Sequence, residues 1–269
     1  MRPDAPQTAP VNADRPIGVF DSGVGGLSVL RALRAELPHE DFVYFSDAGS
    51  APYGERGEDF VAERSRAVAQ QLVEGHAIKA MVVACNTATA AAVHELRAAH
   101  PGMPVVGVEP ALKPAAALTR TGRVAVFATR GTLASAKFRA LHERLGGQAE
   151  FILQPCDGLA AAIESGDEEE TQRLCRRYVA AAGAFGRAPG EIDTLVLGCT
   201  HYPFAADAFR AATGPDVEQV ETGLPVARQT HRLLAAAGLL RAGGGGRVHW
   251  HTTGSPEPLR AAAARWLGI

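Results

Sequence analysis

The sequence predicts an α/β protein built from two similar domains, each a parallel sheet covered by helices. Three observations carry that expectation. Short apolar runs alternate with helical patterns along almost all of the 269 residues, the signature of parallel sheets with helices on both faces. Two stretches share one grammar: Met81-Val82-Val83-Ala84-Cys85-Asn86-Thr87 and Leu195-Val196-Leu197-Gly198-Cys199-Thr200-His201 each run an apolar strand into a cysteine and then into hydrogen-bonding side chains. The third observation is a faint internal repeat. Val19-Phe20-Asp21-Ser22-Gly23 is echoed by Val126-Phe127-Ala128-Thr129-Arg130, the first cysteine stretch by the second, and Val108-Glu109-Pro110 by Val220-Glu221-Thr222. Three pairs in one order, offset by about 110 positions, point to a duplicated unit. The expected architecture is two Rossmann-like domains related by a pseudo-twofold axis, with the functional site in the cleft between them.

The elements follow in order. Residues 1–14 are rich in Pro, Ala and Asp and lack an apolar signal core, so a disordered tail is expected there. Ile17 to Phe20 suits a buried strand. It breaks into Asp21-Ser22-Gly23-Val24-Gly25-Gly26, and a helix is expected from Leu27 to Leu37, stopped by Pro38. A strand from Asp41 to Phe45 leads into the irregular stretch Asp47 to Gly54. A helix over 59–74 precedes the strand ending at Cys85. Thr87 to His100 is helical, closed by Pro101-Gly102, and Pro104 to Val108 is the fourth strand. The second half repeats the alternation. Strands are expected at 123–127, 150–153, 194–198 and 216–220, with helices at 132–145, 157–165, 168–185 and 203–212. A helix over 225–239, a glycine linker at 243–246, a strand over 247–251 and a helix over 257–266 end the chain. The expected division is 15–110 plus 221–269 for one domain and 111–220 for the other.

Composition narrows the function. Apolar residues make up 46% of the chain, enough for a sizeable core, and a net charge of -2 gives no electrostatic case for nucleic acid or an anionic membrane. No apolar run approaches the roughly 18 residues of a spanning helix. The four cysteines have no C-x-x-C spacing, which argues against zinc or a redox dithiol, and without a signal peptide a reducing cytoplasmic compartment is expected. His249-Trp250-His251 places two histidines on one strand face with no third partner nearby in sequence. No metal or cofactor is expected. The loop Gly23-Val24-Gly25-Gly26 does not match the dinucleotide fingerprint.

In parallel sheets ligands bind beyond the carboxyl ends of the strands. Cys85 and Cys199 would then stand at equivalent strand ends and address opposite sides of a small molecule in the cleft. Cys156 and Cys175 read as buried small hydrophobes. Helix N-termini after both thiols favour thiolate and carboxylate. Asp21 can assist a thiol or hold an ammonium, or it can simply cap the following turn. Ser22 adds a hydroxyl to the amides of its loop. Tyr53, His201 and Glu109 each have a structural alternative: turn chemistry for Tyr53 and Glu109, a satisfied core histidine for His201.

At this point the blocks Phe20 to Gly26, Pro52-Tyr53-Gly54, Ala84 to Ala90, Gly107 to Pro110, Thr129 to Thr132 with Ser135, and Leu197 to Pro203 together resemble the glutamate racemases of the aspartate/glutamate racemase family. The resemblance covers roughly residues 16–225, in the expected order. It implies cofactor-independent interconversion of L- and D-glutamate for peptidoglycan synthesis, in a site between two α/β domains of a homodimer. Carried over residue by residue, it implies that Cys85 and Cys199 are the two acid/base groups, Cys85 facing D-glutamate and Cys199 facing L-glutamate, with Asp21 and His201 assisting. It implies substrate contacts from Asp21, Ser22, Pro52, Tyr53, Gly54, Asn86, Thr87, Thr129, Thr132, Thr200 and His201. The stretch Ala48 to Ala51, Phe138 and Glu221 depart from the family's usual residues. Rival expectations are an aspartate racemase, a one-cysteine decarboxylase relative, which the second thiol disfavours, and a non-catalytic amino-acid-binding or gyrase-inhibiting protein.

Overall fold

The computed structural model describes residues 12–269. The expected tail therefore lies outside the described residues up to residue 11. At residues 12–14 the chain is already tied down, because the buried Lys79 ammonium donates to the Ala13 carbonyl.

Among the described residues nine strands form two parallel sheets: β1 (Ile17–Asp21), β2 (Phe42–Ser46), β3 (Ala80–Val83), β4 (Val105–Gly107), β5 (Arg123–Ala128), β6 (Glu150–Pro155), β7 (Thr194–Leu197), β8 (Glu218–Val220) and β9 (Val248–Thr252). The first sheet has the order β4-β3-β1-β2-β9 and the second β6-β5-β7-β8. Reversed, the second order is β8-β7-β5-β6, which matches β4-β3-β1-β2 strand for strand. The internal repeat seen in the sequence is thus a repeat of topology. β3 and β7, which lead into the two cysteines, hold the same place in their sheets.

Helices cover both faces of each sheet, which is why the central strands are continuous apolar runs instead of alternating ones. In the first sheet Ile17, Val19, Phe42, Tyr44 and Val82 face one helical layer, and Phe20, Val43, Phe45, Met81 and Val83 face the other. Helix Leu27–Glu36 follows β1 and buries Leu27, Leu30 and Leu33, spaced one turn apart. Each such leucine contributes roughly 2 kcal/mol by leaving water. The second sheet has matching layers around Phe127, Leu195 and Phe209 on one side and Val124, Val126 and Val196 on the other.

Several expected elements differ in detail. The single helix expected over 132–145 is two, Arg130–Ala134 and Ala136–Arg144. Ser135 breaks them: its backbone is extended and its hydroxyl accepts the Phe138 N–H at 3.1 Å, so it serves as the cap of the second. A helix at Leu112–Leu118 has no counterpart in the sequence expectations. Its Pro114 lies in the first turn, where a missing N–H costs nothing. The helix expected from Pro203 begins as a 3-10 turn, Tyr202–Ala205, before Ala206–Thr213. The irregular stretch after Asp47 contains two 3-10 turns, Ala48–Ser50 and Tyr53–Glu55.

Candidate active site

Both strand-end thiols line one cavity of about 490 Å³, with Ser22, Ser46, Pro52, Asn86, Thr87, Thr129, Thr200 and His201. Neither is part of a strand. The chain leaves β3 at Val83, and Cys85, still extended, becomes the cap of helix Asn86–Ala99. Its sulfur accepts the Ala88 N–H at 3.4 Å and lies 3.8 Å from the Ser22 hydroxyl. Burial pushes the Cys85 thiol up to about 12, and the nearby Asp21 carboxylate pushes the same way; the Ala88 N–H and Ser22 only partly oppose them. Burial outweighs the helix terminus, so Cys85 stands as a protonated thiol.

Asp21 ends β1 with its side chain fully buried. The Gly23 N–H donates to one of its oxygens at 2.7 Å and the Thr200 hydroxyl to the other at 3.2 Å. Burial raises its pKa to about 6, against the opposing pull of His201 and the Gly23 N–H. Thr200 lies just past the end of β7 in the second half, so the bond to Asp21 crosses the cleft. The Ser28 hydroxyl also crosses, donating to the Thr200 carbonyl at 2.7 Å.

On the other side Cys199 Sγ lies 3.7 Å from His201 Nδ1, and His201 Nε2 lies 2.7 Å from Glu164 Oε2. Burial alone would lower the His201 pKa, but its contacts with Cys199 and Glu164 raise it well above the usual imidazole range. An imidazolium held this way donates from both ring nitrogens. Burial would raise Glu164, yet the His201 bond and the Val24 N–H hold it below its ordinary value. Glycine is needed where the loop after β1 meets these groups. A Cβ on Gly23 would come within 2.5 Å of Glu164 Oε2, and one on Gly25 would collide with the His201 ring.

Asn86 lies in the cavity wall with both its side-chain oxygen and nitrogen buried and without a partner, and the Ser46 hydroxyl is likewise unpartnered. Leaving such groups unsatisfied costs roughly 1–3 kcal/mol each, so this wall is prepared for a polar guest. The Thr87 hydroxyl meets Thr129 at 3.2 Å and Thr132 at 3.5 Å across the cleft. Pro52 and Thr129 line the cavity, whereas Thr132 is buried behind Thr129. Tyr53 and Gly54 do not line it. The Tyr53 ring is buried with its hydroxyl on Asp47, and Gly54 packs against Thr129.

Glu164 was not among the sequence candidates, although it completes the Cys199–His201 pair. It lies on helix Leu159–Ser165, 37 positions before His201, with no motif around it. Among the described residues no cluster of three or more His, Cys, Asp or Glu side chains is arranged to hold a metal. Residues 18–229 match the family model described as Asp/Glu/Hydantoin racemase.

The chain belongs to the Asp/Glu/hydantoin racemase family. Within that family it is 48% identical over 245 residues to the glutamate racemase of Pseudomonas syringae pv. tomato, covering 90% of this chain and 87% of that one. It is 48% identical over 260 residues to the glutamate racemase of Methylococcus capsulatus, covering 95% and 93%. Among solved structures of the family, it resembles a glutamate racemase isoform of Bacillus anthracis with a TM-score of 0.84 at 30% identity, covering 96% of each chain. The Escherichia coli glutamate racemase, solved in complex with L-glutamate and the activator UDP-MurNAc-ala, gives a TM-score of 0.80 at 32% identity, covering 94% of this chain and 95% of that one.

Proposed function

We infer that this chain interconverts L- and D-glutamate, supplying D-glutamate for peptidoglycan, by taking the Cα proton onto one cysteine thiolate and delivering a proton to the opposite face from the other cysteine's thiol, without a cofactor. The observation that carries the reading is the pair Cys85 and Cys199, delivered to one cavity from equivalent strands of two sheets. Inversion requires removing a proton from one face of Cα and supplying one to the other, which two bases do and one does poorly. One thiol must be protonated while the other is not, and thiols, with an ordinary pKa of about 8.5, serve in either state.

Burial keeps Cys85 protonated and so favours it as the acid for L-glutamate. Cys199 takes the base role for L-glutamate, with the His201 imidazolium stabilising its charge, and the roles exchange for D-glutamate. Asp21 and His201 assist the thiols on their own sides of the cleft. The carbanion needs electrostatic stabilisation in a water-excluded site. Asn86, Thr87, Ser22 and Thr200 are the donors offered to the substrate carboxylates, and Asp21 is the acceptor nearest to hand for the ammonium. Pro52 and Thr129 shape the wall. Tyr53, Gly54 and Thr132 act by holding the loops that carry those contacts.

Supported by strand membership, we keep the division into 15–110 plus 221–269 and 111–220. A homodimer in the cytoplasm completes the reading.

The test follows the circular dichroism of L-glutamate, D-glutamate and L-aspartate with protein free of pyridoxal phosphate. Both glutamate signals should decay to zero while aspartate persists. Decay of aspartate alone would transfer the reading to an aspartate racemase, and decay of neither would favour a binding protein. Cys85→Ala and Cys199→Ala should each lower turnover at least 10³-fold in both directions.

A further inference from the structure

Tyr44 takes no part in the reading above, yet it reaches the loop that joins the two halves of the site. It lies on β2, and its ring is fully buried. Its hydroxyl donates to the Gly23 carbonyl at 3.0 Å. That carbonyl belongs to the same peptide group as the Val24 N–H, and Glu164 lies against this peptide: a Cβ on Gly23 would come within 2.5 Å of its Oε2, and the Val24 N–H helps hold its carboxyl below the ordinary value. Glu164 in turn holds His201 at 2.7 Å, and His201 meets Cys199 at 3.7 Å. One residue back, the Gly23 N–H holds Asp21 at 2.7 Å. A single peptide unit is thus gripped from the first sheet by a phenol and turned toward the carboxylate that orients the second thiol's partner. A donor on its carbonyl polarises a peptide group and strengthens its N–H as a donor.

We propose that Tyr44 is a positioning residue for the racemisation, acting on the Cys199 half of the site through the Gly23–Val24 peptide, Glu164 and His201. This rests on the two-thiol reading above. The phenol stays protonated, and so remains a donor, because burial and then the nearby Asp21, Glu164 and Cys85 raise its pKa well above the ordinary value. The charged or titratable groups facing the relay are Asp21, Cys85, Cys199, Glu164 and His201. The Leu27 N–H also reaches the Tyr44 hydroxyl, and the Trp250 ring packs on the Tyr44 ring with centroids 5.8 Å apart.

Tyr44→Phe deletes the hydroxyl and keeps the ring. It should lower kcat about five- to tenfold in both directions with KM nearly unchanged. Weakening the Val24 donor raises the carboxyl it faces, so the acidic limb of the kcat/KM profile should move to higher pH. In a double-mutant cycle with Glu164→Gln the two losses should be clearly less than additive, as for members of one network. Trp250→Leu, which loosens the ring but leaves the hydroxyl, should alter thermal stability and leave the pH profile in place. Wild-type kcat and an unmoved acidic limb in Y44F would overturn the proposal, as would additive losses with Glu164→Gln. Recovery of Y44F only in unfolded form, judged by far-UV circular dichroism, would also overturn it by making the residue structural. Absence of glutamate turnover in the wild-type protein sinks the function itself, and is read in the same assay.

Discussion

At the scale of single residues, the site stores its cost in Asp21. A carboxyl whose folded pKa is about 6 against an ordinary 3.8 favours the folded state at low pH and loses that contribution as pH rises from about 4 to about 6. Asp21→Asn removes the dependence. In urea titrations the variant should therefore gain stability relative to wild type between pH 4 and pH 7, by on the order of 2–3 kcal/mol. Its turnover should fall as the stability rises. An unchanged stability difference across that range would mean that Asp21 is not the strained carboxyl. The residues proposed to do the chemistry were largely legible in the sequence, because Cys85-Asn86-Thr87 and Cys199-Thr200-His201 are local and follow strand patterns. Glu164 was not, because its partner is reached only by folding: nothing in Ala161-Ala162-Ile163-Glu164-Ser165 distinguishes it from a solvated helical acid. The family resemblance implies a substrate contact from Tyr53, and in this fold the Tyr53 hydroxyl donates to Asp47.

At the scale of elements, strands were easier to anticipate than turns. A buried parallel strand needs a continuous apolar run, and β1, β2, β3, β5 and β7 all have one. The helix Leu112–Leu118 was hidden by its own proline, and the break at Ser135 depends on a cap too weak in sequence to outvote the surrounding helical pattern. The amino ends of β2 and β3 carry another feature without a sequence signal. Lys79 and Glu40 form an ion pair at 2.5 Å, both fully or almost fully buried, and Glu40 also accepts the Arg241 N–H. Its neighbour Asp41 binds the Arg241 and Arg247 side chains. This cluster ties the chain leading into β9 to the foot of β2. Lys79→Met would strand a buried carboxylate, so it should cost about 3–5 kcal/mol. The joint replacement Lys79→Met with Glu40→Leu should recover most of that loss, measured as urea midpoints at constant m-value.

At the scale of the molecule, the last helix helps to tie the two sheets together. Helix Pro256–Leu267 follows β9 of the first sheet, yet its Trp266 stacks on Phe204 at 3.8 Å between ring centroids, and its Arg265 pairs with Glu168 at 2.8 Å. Both partners belong to the half that carries the second sheet. The stretch just before, with Thr252, Gly254 and Ser255, and then Pro258 and Leu259, forms one wall of the cavity. The C-terminal segment is therefore wall and strap at once. Trp266→Ala should cost about 1–2 kcal/mol and raise KM for both enantiomers more than it lowers kcat. Calorimetry and steady-state kinetics would check the pair of effects; a lowered kcat at constant KM would assign the strap to chemistry instead of closure.

The unlike surroundings of the two sulfurs, a hydroxyl and a helix amide for one and an imidazole–carboxylate pair for the other, have a consequence in the language of detailed balance. Mirror-image solutes have equal free energies in water, so the equilibrium constant between them is one. The ratio kcat/KM must then be the same in both directions, however different the two halves are. The asymmetry of the protein can appear only in which enantiomer waits longer on the enzyme: a higher kcat in one direction is matched by a proportionally higher KM. The direction of net flow is left to whatever reaction consumes the product.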